Sequence, residues 1–331
     1  MCAFDRTWYA KIDNGHKKPK LNYEEQIEYL KEVKGIRFEI VSEEKAIDFL
    51  KNNTYLFKVK SYAKNYSIYN DTYPDKSKVG KYCDLDFAYL IELSTIDMYL
   101  REKIVKLALN IEHYLKVQLI KDVTENVNED GYKTVSDFLL QIRPDLEQAI
   151  IDKSCNSYCQ ELISHRQEFS IWDIVEVLSF GDFIDLYSYY YALNPCSTKN
   201  MSNNLKPVQW LRNAAAHNNC IINHLGQEYS VDKINKTVLS SISKIPDLSA
   251  KMCSKKMSNR PIHDLVVTIY VFNKVVSSEG VKYHTMKELK ELFDNRFIKN
   301  EHYFQNNLLI TSNYIFVKKI VDYFFDLCNN M

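Results

Sequence analysis

The chain of 331 residues predicts an all-α fold on three observations. Gly and Pro number only seven each, and these are the two residues a helix interior tolerates least. Leu, Ile, Lys and Glu recur in runs whose apolar positions are three or four apart, the spacing of one helix face. One such run extends from Leu85 to about Val123. With 46% hydrophobic and 26% charged residues, the composition is that of an ordinary globular protein rather than a disordered one.

Charge and cysteine content narrow the surroundings. Lys+Arg and Asp+Glu balance at 43 each, so no global field marks a nucleic-acid or membrane partner, and a nucleic-acid site would have to be a local patch. The opening MCAFDRTWYA lacks a basic stretch followed by an apolar core. The longest apolar run, LVVTIYVF at 265–272, falls far short of the roughly 18 residues a membrane span needs. A cytoplasmic location with no membrane partner is expected, and there the eight cysteines stay free thiols. Cys155 and Cys159 share the four-residue spacing of one helix face but lack the matching Cys/His pair that structural zinc requires. They read as buried helix residues.

Taken in order, residues 1–20 form an arm ending in the basic HKKPK. LNYEEQIEYLKEVKG follows as a short helix, with Asn22 as N-cap, Glu25 completing a capping box, Ile27 and Leu30 on the buried face and Gly35 as the stop. After the extended IRFEIV, Ser42 caps SEEKAIDFLKNN, which buries Ala46, Ile47, Phe49 and Leu50. KNNTYLFKVKSYAKNYSIY at 51–69 carries Lys51, Lys58, Lys60 and Lys64 among aromatics that include Tyr62 and Tyr66, with no acidic residue. Lysines that neutralise phosphate beside rings that stack on bases suit single-stranded nucleic acid, although half-buried rings with a solvated lysine rim explain the same composition. NDTYPDKSKVGKY at 70–82 reads as a loop and a domain boundary.

The long periodic run then supplies one helix or two successive ones. TENVNEDGYKTV is a second loop, and helices resume with a break at Pro144. In IWDIVEVLSFGDFIDLYSYYYAL, Trp172 reads as core, with Glu176 also structural, and Gly181 permits a kink or a close helix approach. PCSTKNMSNN at 195–204 is turn-rich. Beyond His224, KMCSKKMSNRPIH forms a second basic patch with Lys255, Lys256 and Arg260, and further helices complete the chain.

LRNAAAHNN, in the stretch that starts at Pro207, is the most pointed feature. If it is helical with Pro207 in the first turn, Asn213 and His217 share a face. Arg212 and His217 lie about 140° apart around the axis, so only the length of Arg lets their heads converge on one phosphate. The three alanines keep the turn thin enough for a second helix, or a second copy of this one, to come close. An imidazole can move a proton to or from a ribose hydroxyl while a guanidinium neutralises the phosphate. Such chemistry calls for no cofactor and no metal. A single His serves poorly as both acid and base, which favours a site shared by two copies. The plainer alternative is a packed histidine at a helix end.

Four ordered segments carry a resemblance. KPKLNYEEQIEYLKEVKGI, LIELSTIDMYLREKIVKLALNIEHYLK, IWDIVEVLSFGDFIDLY and LRNAAAHNN together resemble the Abi-like proteins of the AbiD/AbiF type, a branch of the HEPN superfamily. The resemblance covers residues 18 to about 225. It implies a HEPN-like helical bundle with N-terminal and C-terminal helical extensions, divided as 1–82, 83–225 and 226–331. It further implies phage defence through abortive infection, with Arg212 and His217 as the active pair and Asn213 the polar residue beside it. Arg101 and Glu112 then stand behind the site or face phosphate, unless they serve a buried ion pair. Two readings of function lead, with a purely structural dimerisation module as a weaker third. One is a dimeric, metal-independent endoribonuclease of toxin–antitoxin character; the other is a non-catalytic protein that holds a structured small RNA. Both take RNA as partner, including a dedicated small RNA, and the first adds a homodimer.

Overall fold

The computed structural model describes residues 20–165, 168–195, 200–226 and 230–329. The arm at 1–19, with all of HKKPK but Lys20, and residues 196–199 of the PCSTKNMSNN loop lie outside them. Among the described residues helices are joined by turns, and β structure is limited to three isolated bridges. The chain is all-α, as its composition predicts, and no described helix is long and apolar enough to cross a membrane.

Helix α1 (Tyr23–Glu28) opens with the expected capping box. The Glu25 amide donates to Asn22 Oδ1 at 2.8 Å and the Asn22 amide donates to the Glu25 carboxylate at 2.7 Å. A wide π-helical turn, Tyr29–Val33, extends it, which the apolar spacing did not foretell. The chain leaves at Gly35 with φ +68°, where a Cβ would come within 2.7 Å of Lys81 Cβ. Ser42 caps α2 (Glu43–Asn52), and α3 (Leu56–Tyr62) follows from the aromatic and lysine-rich stretch. IRFEIV is extended only at its start, where Arg37 bridges to Asp86, and it bends over residues 39–41, where the Asp86 carboxylate holds it. That carboxylate accepts the Glu39 amide at 3.0 Å and caps the next helix through the Ala88 amide at 2.9 Å.

Helix α4 (Phe87–Glu125) is a single helix of 39 residues, about 58 Å long, and settles the choice between one helix and two. Its buried stripe runs Leu90, Leu93, Ile96, Leu100, Ile104, Leu107, Ile111, Leu115 and Leu119. Short helices α5 (Lys133–Gln141), α6 (Leu146–Asp152), α7 (Gln160–Ser164) and α8 (Ile171–Val177) lead into α9 (Phe180–Leu193). Two expectations fail here. Cys155 is exposed in a 3-10 turn and Cys159 sits before α7, because the chain breaks between them and removes the shared helix face. Trp172 is 44% exposed and lays its ring over Gly131, where a Cβ would sit 2.2 Å from Cζ3. Gly181 does allow a close approach, since a Cβ there would meet Gln209 Nε2 at 2.3 Å. The chain does not kink at this point but breaks and restarts, with Ser179 as the cap of α9.

Gln209 belongs to α10 (Ser202–Ala216), which carries the Arg-to-His motif. It begins five residues ahead of Pro207, so the proline occupies the second turn and removes one intrahelical bond there. The C-terminal region supplies α11 (Lys236–Ile242), α12 (Ala250–Met257), α13 (Arg260–Val275), α14 (Glu279–Glu291) and α15 (Leu308–Asn329). Helix α13 contains the LVVTIYVF run and is buried from Pro261 through Phe272. It packs against both α4 and α10, which also pack on each other, so these three form the centre of one core that extends from Ile27 to Cys328. Polar ties reinforce the outer layer. Glu92 of α4 accepts Arg296 and the Asn300 amide, and Lys103 and Lys106 hold Glu288 at 3.0 and 2.6 Å.

Phe272→Ala, at a fully buried position in the last turn of α13, is expected to lower the unfolding free energy by about 3–5 kcal/mol. Lys255→Ala, on the exposed face of α12, is expected to change it by less than about 0.5 kcal/mol. Denaturant unfolding of the two variants beside the wild type checks both values.

Candidate functional site

The motif helix ends in a Schellman cap. His217 is the C-cap residue, Asn218 adopts φ +56°, its amide donates to the Ala215 carbonyl at 3.1 Å, and the Asn219 amide donates to the Ala214 carbonyl at 2.9 Å. Ala215 is buried, Ala214 half-buried and Ala216 exposed. Nothing larger than a methyl group therefore stands between Asn213 and His217. His217 itself is exposed. Arg212 lies on the flank facing α9, its guanidinium 6.0 Å from the Phe180 ring, and it donates to Asn213 Oδ1 at 3.1 Å.

What fixes this turn is a carboxylate on another helix. Asp97, completely buried on α4, accepts the Arg101 guanidinium, the Tyr62 hydroxyl at 2.8 Å, and the amides of Ile221 and Ile222, each at 3.0 Å. Burial pushes the Asp97 carboxyl above its ordinary range, and the guanidinium, the hydroxyl and the two amides pull it back only in part. Burial, and then Asp97 itself, push the Tyr62 hydroxyl far up, which keeps it protonated as the donor.

Other side chains hold the rest of segment 218–226. Lys58 Nζ donates to the Asn218 carbonyl at 2.9 Å. Asn65 donates to the Ile222 carbonyl at 2.8 Å and accepts the Leu225 amide at 2.8 Å. Asn259, the N-cap of α13, donates to the carbonyls of His224 and Gly226 at 3.1 and 2.7 Å. The Asn65 bonds satisfy backbone groups that burial would otherwise leave costly, whereas the Lys58 bond to Asn218 lies at the surface.

The residues predicted to meet RNA fare differently. Lys51 and Lys64 are exposed, with Lys51 5.2 Å from the Tyr23 ring. Lys58 is spent on the motif turn, and Lys60 donates to the Tyr29 hydroxyl at 2.5 Å. Tyr62 has no exposed surface, so its ring cannot stack on a base, and its part is to clamp Asp97. Tyr66 is half-buried and stacks on Tyr89 at 6.4 Å. Lys255 is exposed, whereas Lys256 donates to Ser312 Oγ at 2.7 Å and Asn313 Oδ1 at 2.9 Å. Arg260 lies 5.2 Å from the ring of Trp210 on the motif helix. Arg101 and Glu112 do not pair with each other. Arg101 serves Asp97, and Glu112 reaches Lys116 on its own helix at 3.4 Å.

Two residues that matter here were not singled out in the sequence. Trp210, 50% exposed, shares the open face of α10 with Asn213 and His217 at spacings of three and seven. Asp97 occupies a position within an apolar stripe, four residues before an arginine. Charges at both ends of that spacing inside a buried face were the available signal. No group of three or more His, Cys, Asp or Glu side chains among the described residues is placed to hold a metal ion.

Asp97→Ala would leave the Arg101 guanidinium buried without its partner, and a loss of about 3–5 kcal/mol in unfolding free energy is expected. Lys256 offers a pH test. Burial lowers its ammonium to about 8, so the folded state sheds that proton before the unfolded state does. The stability of the wild type relative to Lys256→Met should therefore rise as pH climbs from about 8 toward the ordinary lysine range. Unfolding curves over that pH interval measure it.

The family model described as Abi-like protein matches residues 48–223, just over half of the chain. No curated protein and no solved structure matches. The matched span runs from within α2, through the whole of α4, to the segment that Asp97 and Asn65 hold behind His217. The chain belongs to the Abi-like family, the proteins of abortive infection against phage.

Proposed function

We propose that the protein is a metal-independent endoribonuclease of HEPN type that acts as a homodimer in phage defence. The observation that carries this reading is an exposed His217 and a flanking Arg212 on a turn clamped from beneath by Asp97, Lys58 and Asn65. A positioned imidazole and a guanidinium are what phosphodiester transfer without metal needs. A base takes the proton of the ribose 2'-hydroxyl, the resulting oxygen attacks phosphorus, and the 5'-oxygen leaves with a proton from an acid. The products are a 2',3'-cyclic phosphate and a 5'-hydroxyl. One imidazole would have to be base and then acid in a single turnover, so the second is assigned to His217 of another copy. The alanine turn leaves room for that approach, with Arg212 balancing charge on the phosphate and Asn213 orienting Arg212.

The half-exposed Trp210 with Arg260 beside it supports a base-stacking position next to the pair. Residues 83–225 carry the chemistry in this reading, and 1–82 and 226–331 brace it. A second reading, a non-catalytic holder of a structured small RNA, draws on the exposed Lys51, Lys64 and Lys255. Three lysines spread over the surface make a thin basic face, because Lys58, Lys60 and Lys256 are engaged within the protein.

The test is the RNA that copurifies with the wild type, with His217→Ala and with Arg212→Ala. Cyclic-phosphate ends in the wild type, reduced by about two to four orders of magnitude in His217→Ala with RNA still bound, are expected. One intact RNA held equally by all three proteins would make the protein a holder instead.

A further inference from the structure

Behind the clamped turn lies a cavity of about 500 Å³. Leu93 and Leu100 of α4, Leu265 of α13 and Phe293 wall it, and Ile222 and Leu225, from the segment after His217, cover one side. Protein interiors normally hold few voids larger than a water molecule. An apolar void is poor in partners for water and forfeits contacts when empty. Small-molecule sites occupy about 300–1,000 Å³ with largely apolar walls and a few polar groups, and this cavity has that size and character.

Its opening says what it would take. The apolar lining continues to the surface at Ile298 and Ile315, which are 40% and 52% exposed. Polar side chains at the mouth are Glu301, His302 and Gln305, all exposed, and Thr311 and the buried Asn313 lie further along the wall. No lysine or arginine lines the cavity, while one carboxylate, Glu301, does. A carboxylate or phosphate headgroup at the mouth would meet the like charge of Glu301, with no lysine or arginine on the wall beside it. A hydroxyl or amide can donate to Glu301 and accept from Gln305.

We propose that this cavity binds an uncharged, apolar small molecule with a hydroxyl or amide head, of the class of medium-chain alcohols and amides. The bound molecule packs against Ile222 and Leu225, and so against the segment whose amides Asp97 holds. The site stands independently of whether the protein cleaves RNA.

The test is thermal unfolding of the full chain with 1-decanol, with decanoate as the charged counterpart, for the wild type, Leu265→Trp and Ile315→Glu. A ligand that binds the folded state raises the unfolding temperature. A rise of a few degrees with 1-decanol, a smaller one with decanoate, and loss of the rise in both variants are expected. Leu265→Trp fills the interior, and Ile315→Glu alters an exposed side chain at the mouth and so keeps the fold. No shift with 1-decanol, an equal shift with decanoate, or an undiminished shift in Ile315→Glu overturns the proposal.

Discussion

The structure turns on one buried carboxylate. Asp97 joins the long helix to α3 through Tyr62 and to the turn after the motif through two backbone amides, while Arg101 balances its charge from the next turn. Such a pair adds little net stability, because desolvating two charges offsets much of their attraction. What it supplies is register. The amides of Ile221 and Ile222 have one place to go, and the backbone that leaves the motif helix is held accordingly.

Around that point the packing follows from small residues and one apolar helix. Gly181 lets α9 close on Gln209 of the motif helix, and Ala215 lets the last turn of α10 sink toward the core. Helix α13 fills the space between α4 and α10. The C-terminal third is therefore part of the scaffold beneath the motif. Its Asn259 holds the carbonyls of His224 and Gly226, which ties the far end of the motif segment to that helix.

Much of this was legible in the residues. Caps at Asn22 and Ser42, the buried stripe of α4, the stop after His217 and the close approach at Gly181 follow from local rules of capping, period and size, while the continuity of α4 as one helix does not. Errors arose where tertiary placement decides. Tyr62 looked like a stacking ring because a lysine-rich segment hides which aromatic points inward, and the seven-residue α3 buries only Val59 and Tyr62, too few to mark a face. Lys256 looked solvent-borne because nothing local reveals Ser312 and Asn313, more than fifty residues away. Trp172 looked like core because size suggests burial, yet it covers a glycine at the surface. The role of α13 was invisible since its middle, Pro261 through Phe272, is buried on every side and has no solvent-facing polar stripe to mark its orientation. Asp97 lay in plain view inside an apolar stripe, but its partners on α3 and beyond His217 are set by the fold.

The central claim is that the segment after His217 belongs to the rigid core rather than to a surface loop. Hydrogen exchange at the amides of Ile221 and Ile222 measures this directly. Protection close to that of the α4 core amides, with an opening free energy near the global value, is the predicted result. Exchange at the rate of an open loop in the wild-type protein would contradict the account, because Asp97 would then not be holding the motif in place.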